Sequence, residues 1–231
     1  MVSKTIVGFI LPRVRIPHSP LMLEKKFDSI VILNGTISDD DIALMNFFDC
    51  IKIAADGAAN ILIKNKIFPN YIVGDLDSFD FADLPNTQII NIANQEQYDF
   101  EKCLDVLISN NLKKILIFGI NGGCLDHTLN NWSIFIKYSS RLKLFCYTCG
   151  QVGTLITDDI SFITEIDNTI SIIPFPSATL TTKGLKWNLD NDKLEFGKSE
   201  GARNRSINKN ITIKLHSGKY MLFSNYNYCR F

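Results

Sequence analysis

The 231-residue chain carries no net charge and lacks a long hydrophobic run. Lysines and arginines balance the acidic residues, 24 against 24, so no general attraction to nucleic acid or acidic membranes is expected. The apolar run at residues 6–11 is far shorter than the roughly 20 residues of a membrane-spanning helix. No basic stripe with interleaved aromatic residues occurs, which argues against nucleic-acid binding. We therefore expect a cytoplasmic protein with neither nucleic acid nor a membrane as partner.

Closely paired cysteines are also scarce. Six cysteines occur, but only Cys146 and Cys149 form a CxxC pair, and no second pair completes a zinc site. A zinc or redox role stays open, but reduced cysteines in a cytoplasmic protein are favoured. Residues 1–23 contain basic and no acidic residues, which fits an organelle transit peptide or a surface extension. Few serines and several prolines favour the extension, which we assign to residues 1–27.

What is present indicates an α/β protein. Apolar residues make up 46% and charged residues 21%, which is typical of a globular chain with a substantial core. Between residues 28 and 148, short apolar runs alternate with helix-period segments, which predicts a mainly parallel, Rossmann-like α/β domain. From residue 149 to 231, Thr, Ile, Ser and Phe dominate between frequent turn signals, which predicts a smaller antiparallel β-sandwich. Strands are predicted at 30–33, 51–54, 71–73, 88–92, 115–118 and 142–146, and helices at 39–48, 60–64, 100–108 and 128–138.

The most informative motif is Gly74-Asp75-Leu76-Asp77-Ser78, directly after the predicted strand 71–73. Further aspartates, Asp56, Asp99 and Asp126, follow other predicted strands. Open α/β sheets bind ligands at the carboxyl ends of their strands, where these side chains would gather. Carboxylates are hard oxygen ligands that suit Mg²⁺ and a substrate phosphate better than zinc or copper.

Each motif also has a purely structural interpretation. Asp56-Gly57 alone is typical of a turn, and Asp99 could be only the favourable charge at a helix N-terminus. The glycine-rich segment 119–123 resembles a phosphate-binding loop, although it lacks the Gly-Lys-Ser/Thr ending of a P-loop. The order of the motifs favours function, because each one follows a strand and all would open onto one sheet edge.

That order resembles the thiamine pyrophosphokinase family over roughly residues 30–223. The matching pieces are Asp56-Gly57-Ala58-Ala59-Asn60, Gly74-Asp75-Leu76-Asp77-Ser78, residues 95–104 around Asp99-Phe100-Glu101-Lys102, Gly122-Gly123-Cys124-Leu125-Asp126-His127, and Gly184-Leu185-Lys186-Trp187-Asn188-Leu189. The resemblance implies an α/β domain, a β-sandwich domain and a homodimer with its active site at the subunit interface. It implies transfer of the pyrophosphoryl group of ATP to the hydroxyl of thiamine, with release of AMP.

The resemblance also implies roles for individual residues. Metal ligands would be Asp75, Asp77 and Asp99, holding Mg²⁺, and the catalytic acidic set would add Asp56 and Asp126. ATP would contact Asp75, Gln95, Lys102, Gly122, Gly123, Asp126 and His127, although Lys102 could instead pair with an acid on its own helix. Thiamine would contact Asn60, Leu185, Trp187, Arg203 and Asn204, with the indole of Trp187 facing the thiazolium cation. A core or interface role for Trp187 is the structural alternative.

Three positions depart from the family pattern. Cys124 stands where the family usually has arginine, and cysteine cannot supply a permanently charged phosphate donor. Tyr98 replaces a threonine before Asp99, and Arg203-Asn204 replaces a Ser-Asn pair near the thiamine site. These departures keep two further hypotheses open: a pyrophosphokinase acting on another small heteroaromatic alcohol, and a thiamine-binding protein without turnover.

Overall fold

The structure is a computed structural model that describes residues 27–79, 84, 86–94 and 96–225. The strands are β1 (Ser29–Ile32), β2 (Ile51–Ala55), β3 (Tyr71–Gly74), β4 (Gln88–Asn91), β5 (Lys114–Phe118), β6 (Lys143–Thr148), β7 (Gln151–Ile156), β8 (Ile160–Ile163), β9 (Thr169–Lys183), β10 (Asp192–Glu195), β11 (Gly201–Arg205) and β12 (Asn210–Asn225). The helices are α1 (Asp39–Phe47), α2 (Ala58–Lys64), α3 (Asp99–Ser109) and α4 (Leu125–Tyr138). The predicted extension, apart from Phe27, and Gln95 lie outside the described residues.

One sheet runs through the whole described chain in the order β10-β9-β12-β7-β6-β5-β1-β2-β3-β4, with β11 beside β9 and β8 beside β12. The six strands from β6 to β4 pair in parallel, and β7, β9 and β12 pair antiparallel. The predicted fold class, a mainly parallel α/β part followed by an antiparallel part, is confirmed. Strand order places β2 and β3 side by side, which matters for the site below.

Both faces of the parallel part are covered by helices. All four residues of β1 are buried, as expected for a strand between two helical layers. Val31 packs in one core with Leu104 of α3 and Phe135 of α4. Ile30, on the opposite face, packs with Met45 of α1 and other residues of a second core. The 3.6-residue apolar spacing predicted for α3 therefore corresponds to a real buried stripe.

The helix starts agree with ordinary capping chemistry. Ser38 caps α1, because its hydroxyl accepts from the amide of Asp41 and the Asp41 carboxylate accepts from the amide of Ser38. Helix α4 begins at Leu125, three residues before the predicted start, so the Asp126-His127 pair lies in its first turn. Sequence periodicity missed this turn because its side chains are exposed and carry no apolar pattern.

The antiparallel part has its own core, built mainly from β9 and β12. Leu180, Ile213 and Tyr220 are completely buried there. The predicted division between residues 148 and 149 falls in the turn that joins β6 to β7, two strands that pair antiparallel. Because the sheet continues through this turn, the division into two domains stays a prediction.

The described helices include none that is both long and apolar enough to cross a membrane.

The two cysteines of the CxxC pair lie in different environments. Cys146 is buried, its thiol lies 3.5 Å from the carbonyl oxygen of Gly153, and burial raises its pKa to about 12. Cys149 is exposed, and both are unpaired thiols. Cys146 lies in the hydrophobic core with none of its surface exposed, so the structure favours a packing role for this residue.

Candidate active site

Three carboxylates meet at the carboxyl edge of the parallel strands. Asp56 follows β2, Asp75 follows the neighbouring β3, and Asp99 begins α3. One carboxylate oxygen from each lies within 4.8 Å of the others. The sequence prediction that strand-end aspartates would gather is confirmed for these three residues. Oxygen atoms at this spacing can surround a divalent cation such as Mg²⁺.

Asp56 is held in an unusual backbone conformation. Its φ of 37° lies in the left-handed region, which is uncommon for a residue other than glycine. The Asp56 amide donates to the carbonyl of Val73 at 2.9 Å, which ties the residue to β3 beyond the end of β2. A Cβ atom at Gly74 would lie only 2.7 Å from the Cβ of Asp56. Glycine at position 74 therefore permits the close approach of Asp56 to β3.

The Asp56 carboxylate is almost completely buried, with 6% of the residue exposed. Burial first, and then the neighbouring charges of Asp99 and Asp77, raise its pKa, while the nearby Ser78 side chain acts in the opposite direction. Its Oδ1 and the Oδ1 of Asn60 are both buried without a hydrogen-bond donor among the described residues. Buried oxygen atoms without donors are destabilising unless a cation or a ligand satisfies them. The donor set thus fits a hard divalent cation.

Asp77 differs from the predicted ligand set. It is exposed, its carboxylate accepts from the Ser78 hydroxyl at 2.8 Å, and it does not belong to the three-carboxylate group. The family resemblance implied that Asp77 would hold the metal ion together with Asp75 and Asp99. Leu76, between Asp75 and Asp77, has a φ of 67°, so the chain turns at this point. Among the described residues, Asp56 is the third member of the three-carboxylate group, beside Asp75 and Asp99.

Lys102 has the structural role that the sequence analysis left open. Only 3% of this residue is exposed, and its ammonium group lies 2.9 Å from the carboxylate of Asp99, one helical turn earlier on α3. A buried ammonium beside three carboxylates offsets part of their mutual repulsion. The pairing confirms that Lys102 contacts an acid on its own helix, and the predicted contact of Lys102 with ATP stays a prediction.

Hydrogen bonds to residues of α4 and β6 hold the glycine-rich segment 119–123 in place. Asn121 accepts from the indole N–H of Trp132 at 3.1 Å and donates to the hydroxyl of Thr148 at 3.0 Å. The Gly122 amide donates to the hydroxyl of Thr128 at 3.3 Å. Gly122 and Gly123 have φ angles of 125° and 67°, which glycine adopts readily. The loop follows β5, as the sequence predicted, and β5 lies two strands from β2 in the sheet.

The start of α4 is exposed. Asp126 and His127 both face solvent, and the Asp126 carboxylate accepts from the amide of His127 at 3.0 Å. Asp126 is not part of the three-carboxylate group. Cys124, the residue before α4, is an exposed thiol. These side chains are accessible to a ligand beside the glycine-rich loop, but they do not extend the acidic group.

The residues predicted for thiamine lie in two places. Asn60 is on α2, and its side chain donates to the carbonyl of Ser78 beside the acidic group at 2.8 Å. Leu185 is completely buried in the C-terminal core, so its side chain contributes packing there. Trp187 has 57% of its surface exposed, and the ammonium of Lys186 lies 4.8 Å from the ring centre. The core alternative for Trp187 is therefore wrong.

Arg203 is exposed on β11 with a φ of 57°, beside an irregularity in the pairing with β9. Its neighbour Asn204 is buried, and its amide group is hydrogen-bonded to the main chain of Trp187. These contacts bring Arg203 and Trp187 to the same region of the antiparallel part. Sequence reasoning missed Lys186 as a neighbour of the indole, although the two residues are adjacent in the chain.

Trp187 and the acidic group are far apart along the sheet. Trp187 follows β9, Asp56 follows β2, and the strand order places six interstrand steps between these strands. At about 4.8 Å per step the path along the sheet is roughly 29 Å. This path along the sheet is longer than a molecule the size of thiamine.

Fold and site together define a class: an α/β protein whose parallel sheet edge carries an acidic group that can hold a divalent cation. Two family models then match most of the chain. The model of the thiamin pyrophosphokinase catalytic domain matches residues 43–146, and that of the thiamin pyrophosphokinase vitamin B1 binding domain matches residues 159–220. The chain belongs to the thiamin pyrophosphokinase family. The predicted family and enzyme class are thereby confirmed.

Individual relatives agree with the family models. The chain is 28% identical to thiamin pyrophosphokinase 1 of Caenorhabditis elegans, over 75% of this chain and 77% of that protein. It is 27% identical to thiamine pyrophosphokinase 2 of Arabidopsis thaliana, over 72% and 75% of the two chains.

Solved structures agree in fold. The thiamine pyrophosphokinase from Bacillus subtilis superposes with a TM-score of 0.73 at 24% identity, covering 85% of this chain and 98% of that one. Yeast thiamin pyrophosphokinase superposes with a TM-score of 0.72 at 20% identity, covering 90% and 87%.

Proposed function

We propose that the protein transfers the pyrophosphoryl group of ATP to the hydroxyl of thiamine, using Mg²⁺, and releases thiamine diphosphate and AMP. The observation that carries this proposal is the group of Asp56, Asp75 and Asp99 at the carboxyl edge of the sheet, in a chain that belongs to this family. The thiamine hydroxyl oxygen forms a bond to the β-phosphorus of ATP. The bond from that phosphorus to the oxygen that bridges it to the α-phosphate breaks, and AMP leaves.

The acidic group would hold the metal ion. Asp75 and Asp99 belong to the predicted ligand set, and Asp56 joins them because its buried Oδ1 has no donor among the described residues. When bound, Mg²⁺ neutralises charge on the transferring phosphates. One of the site carboxylates accepts the proton of the thiamine hydroxyl, and Asp77 is a candidate because it is exposed beside the group.

The ATP phosphates would lie along the glycine-rich loop. The glycine backbone lets the loop approach an anion closely, and the Gly123 amide is the candidate donor, because the Gly122 amide already donates to Thr128. Asp126 and His127 would contact the nucleotide from the first turn of α4, and Gln95 would contribute from the segment before α3. Lys102 acts through Asp99, because its ammonium group is buried against that carboxylate.

Thiamine would bind between subunits of a homodimer. Six interstrand steps separate Trp187 from the acidic group within one chain. Thiamine would have to contact both at once, and this separation supports a site in which each subunit supplies one of them. The exposed indole of Trp187 would stack on the cationic substrate. Asn60 would contact the substrate beside the acidic group, and Arg203 would contact it beside Trp187. The unpaired cysteines of the described chain agree with the predicted cytoplasmic location.

The test is AMP release from Mg²⁺-ATP, measured with and without thiamine. We expect thiamine-dependent AMP that falls by about 100-fold or more in Asp75→Asn, because a lost ligand weakens metal and phosphate positioning. Asp49→Asn is the matched control, since Asp49 is exposed before the amino end of β2, away from the acidic group. AMP release that depends on another heteroaromatic alcohol instead of thiamine would show that this alcohol is the substrate. Thiamine binding without AMP release would contradict the kinase proposal.

A further inference from the structure

Asn204 is a buried asparagine whose side chain is hydrogen-bonded to the backbone of Trp187. Its Nδ2 donates to the Trp187 carbonyl oxygen at 2.7 Å, and its Oδ1 accepts from the Trp187 amide at 3.2 Å. The same Oδ1 accepts from the amide of Arg205 at 2.8 Å. One side-chain amide thus pairs with both main-chain groups of a residue 17 positions away, much as a neighbouring strand would.

The segment around Trp187 is fixed on both sides of this contact. The Lys186 amide donates to the carbonyl of Arg205 at 2.7 Å, and Leu185 pairs with Ser206 in an isolated bridge. The Leu185 amide also donates to the side chain of Asn188 at 3.1 Å. Trp187 therefore combines a constrained main chain with a side chain that is 57% exposed. An exposed aromatic ring on a constrained backbone loses little conformational freedom when a ligand stacks on it.

The contacts of Asn204 leave little capacity for a ligand. Both acceptor positions of Oδ1 are used, and only 7% of the residue is exposed. The family resemblance implies that Asn204 contacts thiamine, yet the structure directs its amide toward protein. We infer that Asn204 is a positioning residue that presents the Trp187 indole to the cationic ring of thiamine. This inference rests on the proposed function for its substrate, whereas the Asn204–Trp187 contact is a property of the fold.

The inference predicts a separation between binding and turnover. In Asn204→Ala the Trp187 backbone loses both partners, so the indole samples more orientations and binds the substrate more weakly. We expect the KM for thiamine to rise about tenfold, the effect of losing a buried hydrogen-bonded contact. The kcat and the KM for ATP should change less than about twofold, because the acidic group is untouched.

A fluorescence measurement tests the inference without activity. The chain has two tryptophans, so in a Trp132→Phe background all indole emission comes from Trp187. We expect Asn204→Ala to lower the steady-state anisotropy of this emission and to increase its quenching by acrylamide. Asn204→Asp is a second variant of nearly equal volume. It keeps the acceptor for the Trp187 amide but sets an oxygen against the Trp187 carbonyl oxygen, so it should change both readouts in the same direction as Asn204→Ala.

Asn208→Ala is the matched control, since Asn208 is exposed and its side chain accepts only from the amide of Asn210. It should leave both anisotropy and KM unchanged. The kinetic assays use chains with Trp132 intact, because Trp132 holds the glycine-rich loop. A higher KM for thiamine with unchanged anisotropy would mean that Asn204 contacts the substrate directly, and unchanged values of both would also overturn the inference. If the parent protein makes no thiamine-dependent AMP, the proposed function fails while the anisotropy result still decides the Asn204 contact.

Discussion

At the scale of single residues, the site depends on how closely Asp56 approaches β3. Gly74 has no side chain at the point where a Cβ atom would lie 2.7 Å from the Cβ of Asp56. The motif Gly-Asp-x-Asp thus contributes in two ways: Asp75 supplies a carboxylate, and Gly74 makes room for the carboxylate of the neighbouring strand.

Gly74→Ala should therefore disturb the acidic group without removing any of its members. We expect a loss of about 1–3 kcal/mol in the free energy of unfolding, typical of overpacking in a buried site. The concentration of Mg²⁺ needed for half-maximal activity should also rise. Gly57→Ala is the comparison, because its added Cβ would meet its nearest atom, Nδ2 of Asn34, at 3.2 Å, which is tight but milder than the 2.7 Å at Gly74. Equal Mg²⁺ dependence in Gly74→Ala and the parent would show that Asp56 tolerates the shift.

The charge of Asp56 gives a second prediction at this scale. Burial and the nearby carboxylates raise its pKa, so folding favours the protonated form. The ionised form therefore lowers the stability of the metal-free protein at pH values above the raised pKa. This unfavourable contribution disappears as the pH falls through the raised pKa toward the ordinary value.

Asp56→Asn should stabilise the metal-free protein at neutral pH and abolish the Mg²⁺ dependence of its stability. A gain of about 1 kcal/mol corresponds to roughly 2–4 °C in melting temperature for a chain of this size. Thermal melts in EDTA and in Mg²⁺, at neutral and acidic pH, measure both effects. A lower melting temperature in EDTA at neutral pH would contradict the assigned electrostatics.

At the scale of elements, helix α3 brings its own counter-charge to the site. Asp99 and Lys102 are three residues apart, so they lie on the same side of the helix, and the buried ammonium is 2.9 Å from the carboxylate. The pairing of Asp99 with Lys102 therefore depends on the spacing within α3 and needs no contact with a strand.

Lys102→Met keeps most of the side-chain volume and removes the charge. We expect a loss of about 2–4 kcal/mol in the metal-free free energy of unfolding, because Asp99 loses its buried partner beside two other carboxylates. Saturating Mg²⁺ should recover part of the loss, since a bound cation stabilises the folded state. Lys64→Met, at an exposed position on α2, should change stability by less than about 0.5 kcal/mol in urea unfolding. An equally small effect at Lys102 would argue against its role in holding Asp99.

Among the contacts by which helix α4 fixes the glycine-rich loop is the indole of Trp132. Trp132→Phe removes the donor to Asn121 while keeping an aromatic ring against Phe135 and Phe223. The KM for ATP should rise about 3- to 10-fold, as expected for one lost hydrogen bond, with the KM for thiamine unchanged. Equal increases in both constants would place the effect on the fold rather than on the loop.

At the scale of the whole molecule, one sheet carries the acidic group and Trp187 at positions six strands apart. This separation leads to a prediction about subunits. Asp75→Asn and Trp187→Ala should each be inactive alone, and mixing them after unfolding and refolding together should restore activity. In a random mixture half the dimers contain one chain of each kind, and one of their two sites is intact, so about a quarter of the parent activity returns.

The mixed dimer separates two arrangements of the site. If Asp75 and Trp187 acted within one chain, no mixed dimer would contain an intact site, and the mixture would stay inactive. Dilution gives an independent check, because activity per chain should fall once the proposed dimer dissociates.

Local chemistry was sufficient to predict much of this protein from its sequence. Apolar runs and turn residues predicted the parallel strands to within a residue or two, because strand burial depends on short-range composition. The spacing of Phe100, Cys103, Leu104 and Leu107 predicted the buried face of α3. The position of Asp56 and Asp75 directly after β2 and β3 was predictable, since parallel strands bring their carboxyl ends to one edge, and Asp99 reaches the same edge from the start of α3.

Only the tertiary structure decided how these side chains are used. Replacement of Asp77 by Asp56 in the acidic group depends on the backbone angle of Leu76 and on the missing Cβ of Gly74, which no spacing reveals. The burial of Leu185 and the pairing of Asn204 with Trp187 join residues distant in sequence, because β9 and β11 are neighbours in the sheet. Sequence by itself determined which residue types reach each sheet edge; packing determined which polar atoms remained without a partner and so available to a cation or substrate.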